Sequence, residues 1–82
     1  MPRVIIRYYS SLRDEAGREV ETVYLDEGAC VNDLVVQTIS RFPQIEKFES
    51  SLLIARNSEY VNRNVELADG DIIDLMPPVS GG

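Results

Sequence analysis

Val31-Asn32-Asp33-Leu34-Val35-Val36-Gln37-Thr38-Ile39-Ser40-Arg41-Phe42-Pro43 is the stretch whose reading decides the fold. Val31, Leu34, Val35, Ile39 and Phe42 recur at helical spacing and form one apolar stripe. Asn32, Asp33, Gln37, Ser40 and Arg41 occupy the other face. Asp33 near the start and Arg41 near the end both suit the helix dipole, and Pro43 marks the stop. This is the one long helix the chain encodes. Alone and amphipathic, it has to bury its stripe, and a face of a sheet is the candidate surface.

Strand signals flank the helix on both sides. Arg3 to Tyr9 is β-branched and aromatic, with polar residues entering at Arg3 and Arg7. Ser10 offers an N-cap for a short helical turn through Leu12 and Ala16, which Gly17 ends. Glu19 to Leu25 reads as a second strand, joined closely enough to pair antiparallel with the first. Asp26-Glu27-Gly28 then breaks the chain before the helix. Beyond Pro43, Ile45 and Phe48 anchor an irregular or short helical segment. Leu52 to Arg56 is a third strand, Asn57-Ser58-Glu59 turns into a very short strand at Tyr60-Val61, and Leu67-Ala68-Asp69-Gly70-Asp71 turns into a last strand over Ile72 to Met76.

Strand, strand, helix, then two or three strands is the order of the β-grasp, or ubiquitin-like, fold. The expectation is an α+β domain: a mixed four- to five-stranded sheet with one main helix packed on one face. The first and last strands lie side by side in its centre. Val4, Ile6 and Tyr8 then share the helix-facing side with Ile73 and Leu75. The opposite side presents Arg7 and Tyr9 beside Asp74 and Met76. An Arg7–Asp74 cross-strand ion pair would leave Tyr9 and Met76 exposed, with Tyr60 extending the patch. Scattered surface apolar residues are the plain alternative. A docking patch is the preferred reading, because aromatic and Met side chains are enriched at interface cores.

After Met76 come Pro77-Pro78-Val79-Ser80-Gly81-Gly82. Two glycines at a carboxyl terminus leave a main-chain carboxylate on a filament without Cβ atoms, able to thread a narrow tunnel. The four residues past the prolines span roughly 14 Å when extended, against a radius of gyration of about 12 Å for a domain of this length. The prolines stop the strand and launch the tail outward. The expected division is a domain over 1–78 and a flexible tail over 79–82. A frayed end with two glycines arises by chance in roughly one chain in two hundred, so the dipeptide takes its value from what precedes it.

Composition narrows the function. Fourteen acidic residues against eight basic ones give a net charge of −6, which disfavours nucleic acid and suits a basic protein surface. No apolar run is long enough to cross a membrane, and no signal segment opens the chain. A single cysteine, Cys30, excludes an internal disulfide and points to the cytoplasm. With no histidine, the usual general base and ordinary zinc sites are missing. If the protein takes part in catalysis, a partner supplies the active site. Cys30 beside the helix start reads first as a small buried residue, and Glu46, Glu49, Glu59 and Glu66 as solvated surface without metal-ligand spacing.

Four segments resemble the small subunit of molybdopterin synthase, the MoaD-like family, within the wider group that includes the thiamine sulfur carrier ThiS. They are Tyr8-Tyr9-Ser10-Ser11-Leu12-Arg13-Asp14, Asp26-Glu27-Gly28-Ala29-Cys30-Val31-Asn32-Asp33-Leu34, Asn57-Ser58-Glu59-Tyr60-Val61, and Leu67-Ala68-Asp69-Gly70-Asp71 leading to the tail. The likeness spans the chain. Cys30 stands where Thr or Ser usually caps the helix, which predicts a weaker cap. Ser58 stands where Gly is frequent, which predicts a changed turn, and Arg56 replaces a usually apolar residue.

The resemblance implies a chemistry. A MoeB-like adenylyltransferase uses ATP to adenylate Gly82, and a sulfur donor displaces AMP to leave a thiocarboxylate. Val79, Ser80 and Gly81 thread the tail into a MoaE-like large subunit, where the sulfur passes to a pterin precursor. Tyr9, Tyr60 and Met76 bind that partner. The chain itself binds no cofactor or metal. A ThiS-like carrier for thiamine synthesis, a protein modifier conjugated through Gly82, and a binding module with an accidental tail are the competing readings.

Overall fold

The computed structural model describes residues 1–78. In chain order the elements are β1 (Arg3–Tyr8), α1 (Ser11–Ala16), β2 (Val20–Tyr24), α2 (Val31–Arg41), a 3₁₀ segment (Pro43–Ser51), β3 (Leu53–Arg56), β4 (Glu59–Tyr60) and β5 (Ile72–Met76). The five strands form one sheet in the order β2-β1-β5-β3-β4. β1 and β5 run parallel, and the other pairings are antiparallel. The β-grasp expectation holds, with three strands after the helix.

Alternation along the two central strands sets the register. Ile6 pairs with Ile73 and Tyr8 with Leu75, and all four side chains, with Val4, are at most 2% exposed. The same face packs on Val31, Leu34 and Val35 of α2 and on Leu12 and Ile45 from the segments flanking the sheet. The stripe is rotated slightly from its sequence reading. Thr38 is buried and Ile39 and Phe42 are only partly so. Thr38 tolerates this because its hydroxyl donates to the Leu34 carbonyl at 2.8 Å.

One local expectation changes, and two others gain detail. Ser10 does not cap α1: it sits at φ 54°, ψ −128° and makes no side-chain cap bond. It is the corner of a tight turn closed by the Leu12 amide donating to the Tyr9 carbonyl at 3.0 Å. Gly17, in the left-handed region at φ 70°, ends the helix as read. The start of α2 is capped by a Cys30–Asp33 capping box and by tertiary contacts. The Val31 and Asn32 amides donate to the carbonyls of Val65 and Arg63, each at 2.9 Å, so an incoming loop covers two of the four orphan donors. The Asp33 carboxylate accepts the Cys30 amide at 2.8 Å, and that bond holds its pKa below the ordinary value. Ser58 lies in the turn between β3 and β4. Asn57 and Ser58 both have positive φ, 50° and 74°, the mark of a two-residue type I′ turn between Arg56 and Glu59. Serine accepts a conformation that suits glycine better.

Candidate functional site at the root of the tail

β5 is a central strand, and it leaves the sheet after Met76 at the end where β1 also finishes. Val79, Ser80, Gly81 and Gly82, the tail residues singled out above, lie outside the described residues. What the fold does build is the platform from which they depart.

On the side away from α2, side chains line up in rows across the sheet. The registers join Val20, Arg7, Asp74, Ala55 and Tyr60, one from each strand. At about 4.8 Å between strands the row is roughly 19 Å long. Its centre is an ion pair. Arg7 Nε lies 2.5 Å from Asp74 Oδ1 and its Nη2 3.0 Å from Oδ2. The Tyr9 hydroxyl donates to the same Asp74 Oδ1 at 3.3 Å. Asp74 is 7% exposed, so the fork geometry and the tyrosine satisfy a nearly buried carboxylate. The hydrogen bond to Asp74 also raises the pKa of Arg7.

The expected cross-strand pair is therefore present. The patch around it differs in detail. Tyr60 is 73% exposed and Tyr9 39%, whereas Met76 is half-buried opposite Leu53. Sequence reasoning missed further members of this face. Val20 and Tyr24 on β2 are exposed, and Ile5, Ile72 and Leu53 are half-buried on the same side. The period-2 pattern of Val20-Glu21-Thr22-Val23-Tyr24 carried that signal, since Val23 alone of the apolar three turns inward.

Behind the platform, on the helix side, a second cluster fixes the same end of the sheet. The buried Tyr8 hydroxyl donates to Glu21 Oε2. Arg41, at the end of α2, donates to both Glu21 oxygens at 3.2 and 2.7 Å, and Arg18 donates to Oε1 at 3.3 Å. Both guanidinium groups lie over the Phe42 ring, 4.9 and 5.6 Å from its centroid, and Tyr8 meets that ring edge-on at 6.2 Å. Burial pushes the Tyr8 pKa up, reinforced by its bond to Glu21. Burial alone would raise Glu21, but the bonds from Arg41 and Tyr8 outweigh it and the pKa falls. Sheet and helix are thus locked together where β1 ends, next to the strand that carries the tail.

Among the described residues no group of three Asp, Glu, Cys or His side chains is arranged to hold a metal ion, and no helix is long and apolar enough to cross a membrane. Cys30 is partly exposed at the opposite end of α2.

A family model described as the ThiS family matches residues 6–82. The chain belongs to the ThiS family. Within it, the molybdopterin synthase sulfur carrier subunit of Chlamydomonas reinhardtii is 33% identical over 82 residues, covering 98% of this chain and 99% of that protein. A structure provisionally titled molybdopterin converting factor, subunit 1, from Pyrococcus furiosus shares the fold with a TM-score of 0.88 and 31% identity, over 96% of this chain and 100% of that one. A chain in the protein–protein complex of subunits 1 and 2 of molybdopterin-converting factor from Helicobacter pylori is similar with a TM-score of 0.70 and 25% identity, over 98% and 99% of the two chains. The family members are ubiquitin-like sulfur carriers, and the β-grasp fold seen here is theirs.

Proposed function

We propose that this protein is the sulfur-carrying small subunit of a molybdopterin synthase, and that its reacting atom is the main-chain carbonyl carbon of Gly82. A free carboxylate does not release an oxygen to a sulfur nucleophile. The Gly82 carboxylate therefore first attacks the α-phosphorus of ATP on an activating enzyme, pyrophosphate leaves, and an acyl adenylate remains. A sulfur donor then attacks the acyl carbon, AMP departs, and a thiocarboxylate is left. With Val79, Ser80 and Gly81 as a thin leader, the tail enters the larger subunit and hands its sulfur to the pterin precursor. ATP belongs to the activating enzyme, and the carrier holds no cofactor of its own.

The observation that carries the reading is likeness along essentially the whole of a sulfur carrier subunit, from β1 through Gly82. The names of those full-length relatives favour a pterin acceptor over thiamine synthesis. The Helicobacter pylori complex supports a second subunit as partner. The outer face supports the same arrangement: Tyr9 and the half-buried Met76 lie near the point where β5 exits, and Tyr60 extends the face along the row through Asp74 to the edge strand β4. Docking that face places the tail at the partner's active site.

Intact-mass spectrometry tests the proposal. After incubation with ATP, a sulfur source and the activating enzyme, the protein should gain the mass difference between sulfur and oxygen, localised to Gly82. A protein that stays unmodified under conditions that thiocarboxylate an authentic carrier overturns it.

A further inference from the structure

β2 (Val20–Tyr24) closes one side of the sheet, and its far side pairs with no strand among the described residues. The ladder to β1 fixes which of its backbone groups stay open. The Tyr8 amide donates to the Glu19 carbonyl at 2.9 Å, and the Leu25 amide to the Pro2 carbonyl at 3.1 Å. With Ile6 opposite Glu21 and Val4 opposite Val23, the odd-numbered residues of this stretch bond inward to β1. Antiparallel alternation then turns the amides and carbonyls of Val20, Thr22 and Tyr24 to the free edge. Their side chains share the outer face, where Val20 is 54% and Tyr24 59% exposed. Neither proline nor lysine blunts this strand.

The two ends of the edge differ in charge. Beside Val20, Arg18 and Arg41 share the single carboxylate of Glu21. That leaves one positive charge in excess, on side chains that are 47% and 34% exposed. Beyond Tyr24, the carboxylates of Asp26, Glu27 and Asp33 line an open groove of about 410 Å³ between β2 and the start of α2. Glu27 is paired there with the Met1 ammonium at 3.1 Å, so the groove keeps a negative excess.

We infer that β2 is a self-pairing edge, through which two copies of this protein join antiparallel about a two-fold axis at Thr22. In that register Thr22 faces Thr22 and Val20 faces Tyr24, and every open amide on either strand meets an open carbonyl. Val20 of each copy lies beside Tyr24 of the other on the outer face. The same two-fold axis sets the Arg18 end of one copy against the Asp26 end of the other, and does so at both ends. Sliding the strands by two residues leaves Val20 or Tyr24 without a partner and breaks the match of charges. The pairing closes instead of propagating, because the opposite edge of the sheet is the short strand Glu59–Tyr60. A five-residue edge makes a small contact, so the dimer is reversible and concentration-dependent. Tyr60 and Met76, on strands beyond β1 from the new seam, stay uncovered. The inference is independent of the chemistry at Gly82.

Sedimentation equilibrium of the full chain from micromolar to millimolar concentration tests it. At about 0.15 M salt the mutual repulsion of two chains of charge −6 is screened beyond about 8 Å. The mass should rise from 9.2 kDa toward twice that value and no further. Thr22→Pro removes an amide that the ladder to β1 does not use, and should weaken association roughly ten-fold or more. Asp26→Arg sets like charges together at both ends and should weaken it a few-fold. If Thr22→Pro does not fold, Thr22→Cys in a Cys30→Ala background decides. Residues facing each other at the axis stand about 5.5 Å apart between Cα atoms, within disulfide range, so mild oxidation should link the copies. Tyr60→Cys in the same background, on the other edge, should not link. A chain that keeps the monomer mass to millimolar concentration overturns the inference and leaves the edge to an extended segment of another protein. A dimer indifferent to both Thr22→Pro and Asp26→Arg, or a mass that climbs past two copies, overturns it as well.

Discussion

Replacing Glu21 with alanine should cost about 2–3 kcal/mol of stability, most of it through a residue that is not mutated. The Glu21 side chain is 9% exposed, and Tyr8, whose hydroxyl it accepts, is 2% exposed. Removing the carboxylate strands that hydroxyl in the core, worth roughly 1–3 kcal/mol. Arg41 and Arg18 retain 34% and 47% side-chain exposure, so water compensates them and their lost pairs add only about 0–1 kcal/mol. In a domain of this size each kcal/mol moves the melting temperature by about 4–8 °C, which predicts a fall of about 8–24 °C in a circular-dichroism melt. Adding Tyr8→Phe to Glu21→Ala should restore about 1 kcal/mol, because the orphan hydroxyl is then gone. The pH dependence follows from the lowered pKa. Glu21's contribution is fully present above its ordinary value of 4.5 and is lost as pH falls through the lower folded value. The stability gap between the parent and Glu21→Gln should therefore be flat near neutrality and shrink below the ordinary value. A cost under about 0.5 kcal/mol for Glu21→Ala, or a gap that does not shrink in acid, would refute this account of the clamp.

Other outcomes follow from the same geometry. Ser58→Gly should stabilise the fold by about 0.5–1 kcal/mol, since relief of the left-handed conformation exceeds the added freedom of the unfolded chain; urea unfolding measures it, and a destabilised variant contradicts the turn assignment. Tyr60→Glu and Met76→Glu should each weaken binding to the larger subunit roughly ten- to hundred-fold by setting an unpaired charge in the interface; calorimetric affinities equal to the parent's would mean that another face docks. Deleting Gly82 should abolish thiocarboxylation with the melting temperature unchanged, and sulfur transfer by the truncated chain would end the carrier mechanism.

Much of this architecture was legible because it is written locally. The alternation of Val4, Ile6 and Tyr8 against Ile73 and Leu75 has one register that buries both sets, and that register also sets Arg7 beside Asp74. The helix announced itself by its stripe and by Pro43. What escaped the sequence depends on residues far apart in the chain. Nothing near Glu21 reveals that Arg41 will reach it across twenty positions, or that carbonyls of the loop at 63–65 will cap α2. Ser10 was read by its side chain, which favours a cap, while the tight reversal after Tyr9 imposed a backbone conformation that leaves the hydroxyl unused. Met76 was read as exposed from alternation alone, but pairing with Leu53 on β3 covers it partly.

The placement of β5 suits a protein that presents its own carboxyl end to a partner. A tail hung from an edge strand would inherit whatever fraying that edge undergoes, and its carboxyl end would sweep a wide volume. β5 is hydrogen-bonded on both sides, to β1 and to β3. It is pinned from the outer face by Arg7–Asp74–Tyr9 and backed on the inner face by Leu75 against Tyr8, whose hydroxyl is tied to Glu21 and so to α2. Fixing the strand from which the chain continues confines where Gly82 can go, which raises its local concentration at a partner's site if the outer face docks there as proposed. Rigidity at the root of the tail can be told apart from simple stability. Asp74→Ala should loosen the root and slow sulfur delivery to the larger subunit, while thiocarboxylate loading measured by mass at saturating activating enzyme stays near the parent's. Equal loss of loading and delivery would mean that Asp74 only holds the domain together.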